Sequence, residues 1–506
     1  MKGPSFLFHA ARLGGLTLLS SALGLARELL IARQLGANRS TDAYLVAVSI
    51  PVLMYALFFG SGLNVSLVPR LTVLLANDKQ RGHRIFAQFL SGAALCSVAG
   101  SCILLASPQM FVRMFAPGMA QSAMAGEFLR ILAPVVFLFV VTYALGSFHC
   151  ASGRLGQWGV IPVVQNAVLV SALLVAGRVW GVKALLLGTL VGALLSFLVQ
   201  ARKARNNNFS EPLLNPFQAG EGRDILIGML PFALVGGMGG DFGTSQVDIF
   251  LIRFFASSLA PGSITLLTLG NKLMGLPVLL IGAALGLALL PALSATLSRG
   301  DRKEAGRQLS EAWFYALVLI CPVTVIYFDL SAPVVRVIFR NTALAQSQLT
   351  GLAEILRAYA GAVMGLVLVY ILNSFLAAQR RTRALIAAGL IAIQCDVVLM
   401  IILRARLGAR GIALAISVGS LIYCAVLLGL VLMELPVPSR RLLLERTALV
   451  LAGTVAMHGG LIMATRVESI QFLSCNRCAL LPLLVGVTIY LAFIGVCRTR
   501  LQATNA

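Results

Sequence analysis

Long apolar stretches separated by short polar loops recur along the whole chain. Fourteen of them are long enough to cross a bilayer, since one helical crossing takes about 20 apolar residues. They lie near residues 12–33, 42–76, 86–107, 127–149, 158–177, 179–200, 226–254, 263–296, 309–328, 353–376, 382–403, 411–433, 447–465 and 479–497. Because a helix satisfies its own backbone hydrogen bonds in lipid, the pattern predicts an all-α integral membrane protein with about 14 transmembrane helices.

The chain also resembles itself at a distance of about 220 residues. Residues 66–84 read SLVPRLTVLLANDKQRGHR and residues 288–307 read ALLPALSATLSRGDRKEAGR, each at the end of an apolar stretch. Pro69 and Pro291 are 222 positions apart within these segments. Two related halves of a membrane protein commonly surround a central substrate path and rock to open it to alternate sides.

A polar break at residues 201–224 divides the predicted spans into two sets of six, with two further spans at the end. We therefore predict two pseudo-symmetric six-helix lobes around a central cavity. The first covers residues 1–203, a cytoplasmic linker covers 204–223, the second lobe covers 224–434, and two C-terminal helices with a cytoplasmic tail cover 435–506.

Composition agrees with a membrane protein, because 59% of the residues are hydrophobic and 11% are charged. The net charge of +22 does not indicate nucleic-acid binding, since the Lys and Arg residues lie in short loops between apolar spans. When successive loops are assigned to opposite sides of the membrane, more Lys and Arg residues lie on the side that also holds both termini. This positive-inside bias predicts that both termini are cytoplasmic.

Polar and charged side chains interrupt the first span at Ser20, Ser21, Arg27 and Glu28. A charge at mid-bilayer costs roughly 2.5–3.5 kcal/mol on translocon scales, so such residues face a cavity or a partner. The first helix is thus predicted to line a polar cavity, and an interfacial pair near a helix end is the alternative for Arg27 and Glu28.

The seventh span contains a predicted hinge of four glycines, Gly236, Gly237, Gly239 and Gly240. Asp241 and Asp248 follow as candidate sites for a coupling cation or proton. Lys272, in the eighth span, is a candidate partner for Asp248 or a contact for an anionic substrate, and a structural ion pair is the alternative.

Motifs of ATP hydrolysis and of metal or serine hydrolases are missing from the sequence. No GxxxxGK[ST], HExxH or GxSxG occurs, so we expect no ATP use, no metal, no organic cofactor and no catalytic residue. A membrane-embedded glycan transferase or polymerase remains the enzymatic alternative.

Five segments together resemble the MurJ (MviN) family of the multidrug/oligosaccharidyl-lipid/polysaccharide exporter superfamily. They are residues 23–51 (LGLARELLIARQLGANRSTDAYLVAVSIP), 60–71, 245–277, 284–294 and 408–417. The resemblance implies a lipid II flippase of the bacterial inner membrane, which moves an undecaprenyl-pyrophosphate-linked glycan to the periplasmic leaflet by alternating access. It also implies contacts with membrane lipids and with other envelope-glycan synthesis proteins.

The same resemblance implies a set of cavity residues. Ser20, Arg27 and Asp42 match polar cavity positions of the family, with Arg27 holding the pyrophosphate through its planar fork of donors. Asp42 is also a candidate coupling site. Lys272 stands where the family usually has an arginine.

Four positions depart from the family pattern: Ser21 and Tyr55 replace cavity arginines, Ser49 replaces a lysine, and Gly60 replaces an acidic residue. Three positions that carry a positive charge in the family thus carry a neutral side chain in this chain. Two alternatives to lipid II transport follow, namely transport of an exopolysaccharide or capsule repeat unit by a diverged member, and small-molecule antiport by a multidrug-exporter relative.

Overall fold

The computed structural model describes residues 3–60, 63–119, 123–154, 156–207, 209, 215, 220–228, 246–468, 487, 488, 490–493 and 495. Throughout these ranges the chain is helical, with connecting turns and no strand. The predicted all-α membrane fold is therefore confirmed. Ten described helices are long and apolar enough to cross a membrane, and the count of 14 stays a prediction.

The helices form two compact units. The first unit comprises Met1–Asp241, Ser245–Thr265 and Asn341–Leu344, and the second comprises Phe242–Thr244, Leu266–Arg340 and Ala345–Ala506. The second repeat thus contributes one of its helices and one loop to the first unit. The lobe boundaries given above rest on counting spans and stay a prediction.

The described residues of the first unit form a series of α-helices. They are α1 (Gly3–Gln34), α2 (Arg39–Tyr55), α3 (Val68–Asn77), α4 (Lys79–Ala106), α5 (Pro108–Phe115), α6 (Ala123–Leu132), α7 (Val135–Ala151), α8 (Gly156–Trp180), α9 (Val182–Asn206) and α10 (Gln246–Ala256). Residues 221–228 add a short helical segment.

The helix that follows α10 is shared between the units: its first turn, up to Thr265, belongs to the first unit, and the rest belongs to the second. Its helices are α11 (Ser263–Pro277), α12 (Ala284–Ser298), α13 (Arg302–Asp329), α14 (Ser331–Ile338), α15 (Gln346–Ala358), α16 (Ala360–Ala378), α17 (Thr382–Glu434) and α18 (Val437–Glu468).

Both repeats contain π-helical turns beyond a helix proline. Pro51 lies in α2, which continues through π-helices Ala56–Gly60 and Leu63–Leu67, and Pro277 ends α11 before π-helix Val278–Ala283. A π-helical turn places one extra residue in an α-helix, so both repeats contain the same kind of irregularity after a proline.

Helix α17 is 53 residues long, about 80 Å if it were straight, which is too long for one crossing. It breaks at Gly408, whose φ of 57° and ψ of −134° are non-helical. Gly181, between α8 and α9, has nearly the same conformation, with φ 56° and ψ −130°. Only glycine readily adopts these angles, so the two repeats turn in the same way 227 residues apart.

Each unit has its own apolar core. In the first unit, Phe86 stacks on Phe148 with 4.8 Å between ring centroids, and Phe209 packs edge-on against Phe86. In the second, Trp313 is buried and donates its Nε1 hydrogen to Thr447 Oγ1 at 2.8 Å, which fixes α18 to α13. Buried aromatic groups of this size contribute much of the packing energy.

Candidate functional site

Arg27 and Glu28 form an ion pair on α1, inside the first unit. Arg27 Nη2 donates to Glu28 Oε1 at 2.6 Å, and the Glu28 side chain is only 5% exposed. Arg27 lies seven residues, or about 10 Å, before the end of α1. A buried pair at this depth is costly unless its remaining polar atoms are also satisfied.

Asn166, on α8, provides that further contact. Its Oδ1 accepts a hydrogen bond from Arg27 Nη1 at 3.0 Å, and its Nδ2 donates to the backbone O and to the Oγ of Ser20, both at 3.2 Å. The two predicted residues Ser20 and Arg27 are therefore joined through one amide. Sequence reasoning missed Asn166, although an Asn within the apolar run VVQNAVL was a usable signal.

A second guanidinium, that of Arg253 on α10, lies within electrostatic range of this pair. Its positive charge is attracted by Glu28 and repelled by Arg27. Its Nε atom is buried and has no hydrogen-bond partner among the described residues. Sequence reasoning assigned no role to Arg253.

Helix α10 is held in place by aromatic and backbone contacts within the first unit. Phe250 packs edge-on against Phe115 of α5, with ring centroids 5.1 Å apart. At its end, Ser257 Oγ accepts a hydrogen bond from Gly118 N at 3.1 Å. These contacts fix the helix that carries Arg253.

Tyr44 on α2 is buried beside the charged pair and is hydrogen-bonded to Thr189 of α9, with 2.9 Å between the hydroxyl oxygens. Thr189 Oγ1 itself donates to Leu185 O, so Tyr44 is the donor to Thr189. The phenol is thereby oriented, and it lies within electrostatic range of Arg27 and Glu28.

Asp42 is buried in the first turn of α2 and binds the first turn of α11. Its Oδ2 accepts from Gly262 N at 2.6 Å, and its Oδ1 accepts from Thr265 N at 2.8 Å and from Thr265 Oγ1 at 2.7 Å. A carboxylate suits this position, because the free N–H groups and dipole of a helix N-terminus favour negative charge. Both oxygens of Asp42 are thus used in holding two helix ends together.

Two glycines permit close backbone approach at the same helix ends. Gly36, with φ 71°, lies so near Ala343 that a Cβ would come within 2.9 Å of its carbonyl oxygen. A Cβ on Gly262, with φ 92°, would lie 2.7 Å from Ala37 O. Ala343 N also donates to Ala32 O at 3.0 Å. Side chains larger than hydrogen would therefore separate these segments.

The remaining predicted residues lie elsewhere or outside the described residues. Lys272 is exposed on α11 in the second unit, and Asp248 is half-buried in the first turn of α10. The predicted coupling residue Asp241 and the predicted hinge, Gly236, Gly237, Gly239 and Gly240, lie outside the described residues. Within the described part of the chain, no three His, Cys, Asp or Glu residues are grouped as metal ligands.

The positions that depart from the family pattern have local partners. Ser21 Oγ donates to Thr17 O at 2.9 Å and Ser49 Oγ donates to Val46 O at 2.7 Å, each within its own helix. Tyr55 stacks on Tyr143 with ring centroids 4.5 Å apart. The charged side chains that influence one another around Arg27 are therefore Arg27, Glu28 and Arg253, while the buried carboxylate of Asp42 lies at the helix ends described above.

The comparisons with known proteins agree on one family. The family model "Lipid II flippase MurJ" matches residues 31–476. The chain is 27% identical over 460 residues to a probable lipid II flippase MurJ of Rhizobium tropici, covering 88% of this chain and 84% of that one. It is 29% identical over 435 residues to the lipid II flippase MurJ of Burkholderia cenocepacia, covering 82% and 81%.

Solved structures show the same fold. A lipid II flippase MurJ in an inward closed conformation matches with a TM-score of 0.81 at 18% identity, covering 97% of this chain and 99% of that one. An inward-facing multidrug resistance transporter of the MATE family matches with a TM-score of 0.66 at 16% identity, covering 85% and 96%.

Proposed function

Because the chain belongs to the lipid II flippase MurJ family, we propose that it moves an undecaprenyl-pyrophosphate-linked saccharide across the bacterial inner membrane, with lipid II as the substrate. The headgroup would pass from the cytoplasmic to the periplasmic leaflet by alternating access, with both termini in the cytoplasm. No step in this cycle forms or breaks a covalent bond.

The observation that carries the proposal is the arrangement around Arg27. Its guanidinium is the most suitable group in the first unit for a phosphate, because it presents paired donors and stays charged at any physiological pH. Glu28 and Asn166 orient it from two sides, at 2.6 and 3.0 Å. An arriving phosphate would replace the Glu28 oxygen on one donor edge while Asn166 keeps the other in place.

Asp42 has a different proposed role from direct headgroup binding. Its three hydrogen bonds hold α2 to the first turn of α11. In the proposed cycle these bonds break when the cavity opens to the periplasm. Protonation or cation binding at the carboxylate would weaken the contact, which makes Asp42 a candidate coupling site beside Asp241 and Asp248.

The driving force in this proposal is the membrane potential or a cation gradient, without ATP. Moving one charge through the potential is worth about 2.3 kcal/mol per 100 mV, which is enough to bias the direction of a cycle. The net charge of the substrate together with the side chains around Arg27 would determine in which direction the membrane potential drives the transport cycle.

A second candidate substrate, another lipid-linked saccharide, is favoured by the neutral residues Ser21, Ser49 and Tyr55. Where the family resemblance implies cations, these side chains bond within their helices or stack on an aromatic ring. A site with fewer cations would recognise the same pyrophosphate but a different glycan.

Complementation distinguishes the two substrates. The chain is expressed in a bacterium depleted of its own lipid II flippase, and survival is scored together with the amount of protein in the membrane. Survival is the expected result and identifies lipid II. Death despite normal membrane levels would contradict the lipid II assignment and favour the second candidate.

A further inference from the structure

We propose that the short helices α5 and α14 lie in the membrane surface and bind anionic phospholipid through Arg113 and Arg336. Each of them is eight residues long and follows directly on a 28-residue helix, α4 or α13. The inference concerns the lipid around the protein, so it does not depend on which saccharide is transported.

The position of both short helices follows from the length of the helices before them. A helix of 28 residues is about 42 Å long, which exceeds the roughly 30 Å of the hydrocarbon core. Each long helix begins at an aspartate cap, Asp78 or Asp301, followed by several Lys and Arg residues, so its far end reaches the opposite membrane surface. The short helices begin at that far end, which is periplasmic in the proposed topology.

Helix α5 divides its residues among three faces. Pro108 and Val112, four residues apart, are buried. Met110 and Met114 are also four residues apart and therefore share one side of the helix, where they are 63% and 51% exposed. Arg113 is exposed on a third side, and α5 contains no acidic residue. A buried face, an exposed apolar face and a basic face are typical of a helix that lies in a membrane surface.

Helix α14 repeats these faces position by position. Residues 335–337 (VRV) match residues 112–114 (VRM) at an offset of 223, the same offset that separates the two aspartate caps. In both copies the first residue is buried and the next two are exposed, with Val337 at 64%. Because exposed side chains add little to a core, packing does not explain why both copies keep an exposed arginine beside an exposed apolar residue. A shared membrane surface explains it.

The positive charge of both helices favours an anionic lipid as the occupant of this surface. The Arg113 and Arg336 side chains make no hydrogen bond or ion pair with other described residues, so no protein carboxylate neutralises them. Arg340, exposed just beyond α14, adds a further charge. Each Lys or Arg near an anionic membrane surface strengthens binding about fivefold. Acyl chains would cover the exposed apolar side chains, and a phosphate would lie beside each arginine.

The first experiment determines whether lipid covers the apolar face of α5. Met114→Cys and Arg113→Cys are placed in the full-length chain, reconstituted in lipid nanodiscs and treated with a membrane-impermeant maleimide. Met114→Cys should react about tenfold or more slowly than Arg113→Cys, because the reactive thiolate is disfavoured in an apolar layer. The wild-type chain gives the background from native cysteines, and both variants should react equally in SDS.

Val337→Cys and Arg336→Cys provide the same comparison for α14. Equal rates within each pair in nanodiscs would place the apolar faces in water and overturn the inference, leaving a periplasmic protein as the candidate occupant.

The second experiment measures the choice of headgroup, by native mass spectrometry of phosphatidylglycerol and phosphatidylcholine bound to the purified full-length chain. Arg113→Gln with Arg336→Gln should weaken phosphatidylglycerol binding about fivefold per arginine and leave phosphatidylcholine binding unchanged. Lysine at both positions should bind like the wild type, since a charged surface does not require the planar fork. Arg307→Gln is the matched control, because this exposed arginine is already paired with Glu304 and Glu311.

Equal losses for both lipids, or no loss for phosphatidylglycerol, would overturn the inference. Size-exclusion chromatography confirms that each variant is folded, and the lysine variants separate loss of charge from loss of structure. Neither experiment uses the saccharide substrate, so the inference can fail while the proposed function stands.

Discussion

The two compact units share a frame but differ in where charge is buried. Both contain an aspartate-capped helix, a short helix after it and a glycine turn with nearly the same angles, Gly181 in one and Gly408 in the other. Among the described residues, however, the buried carboxylates are Glu28 and Asp42, and both lie in the first unit. The repeat thus duplicates the backbone, while these two buried carboxylates have no equally buried counterpart among the described residues of the second unit.

In the second unit, Asp329 at the end of α13 is hydrogen-bonded to His458 of α18 at 2.6 Å. Arg381 and Glu434, at the two ends of α17, form an ion pair at 2.5 Å. Its buried polar side chains include the neutral Asn373, Ser374, Ser417 and Ser420. Ser417 donates to Ala358 O at 2.5 Å, a contact that holds helices together and offers no charge to a substrate. This difference agrees with the proposal that Arg27 of the first unit contacts the headgroup.

The largest expected effect is loss of transport when the charge of the first unit is removed. Arg27→Ala should abolish rescue of flippase-depleted cells, because it leaves Glu28 buried without its donor and removes the phosphate contact. Arg27→Lys should rescue partly. Arg33→Ala, on the same helix but exposed, is the matched control and should rescue fully. Full rescue by Arg27→Ala at normal membrane levels would remove the distinction between the units.

The next effect concerns the helix ends joined by Asp42. Asp42→Ala leaves three donors without their acceptor and should lower the free energy of unfolding by about 2–4 kcal/mol, given hydrogen bonds to charged groups of about 1.5–3 kcal/mol and partial replacement by water. Denaturation of the purified protein in detergent measures it. Asp78→Ala, which removes an exposed cap, is the comparison. A loss for Asp42→Ala no larger than that for Asp78→Ala would show that these contacts do little.

The glycine turns test whether the repeated frame is equivalent in the two units. Gly181→Ala and Gly408→Ala should each destabilise by about 1–3 kcal/mol, because these angles are nearly forbidden to side chains with a Cβ. Neither position is crowded, so the loss reports backbone strain. Gly429→Ala, in a helical part of α17 with open space, should not destabilise. Equal loss at Gly429 would argue against strain as the cause.

The smallest effect comes from the two aspartate caps. Asp78 Oδ1 accepts from Arg81 N at 3.0 Å, and Asp301 Oδ1 accepts from Glu304 N at 2.9 Å, 223 residues apart. Replacing either with alanine should cost about 1 kcal/mol, and the two losses should agree. Thermal melts of the two variants provide the measurement. Clearly unequal losses would show that the repeat is preserved in sequence but not in energetics.

The sequence by itself determined the local features of this protein. Apolar stretches predicted the membrane helices, and the self-similar segments at 66–84 and 288–307 predicted the duplicated frame. Arg27 and Glu28 could be recognised as important because charges inside an apolar span need partners. Each of these inferences depends on composition and on neighbours along the chain, which a sequence displays directly.

Only the tertiary structure decided which distant groups meet. Asn166 bonds Arg27 from 139 residues away, and Asp42 meets Thr265 across 223 residues. Arg253 comes within electrostatic range of Glu28 from 225 residues away along the chain. Hydrophobic periodicity fixes which face of a helix is apolar, but the rotation and depth at which two helices pack depend on all their neighbours together. The charge cluster that we propose binds the substrate could therefore not be assembled from the sequence.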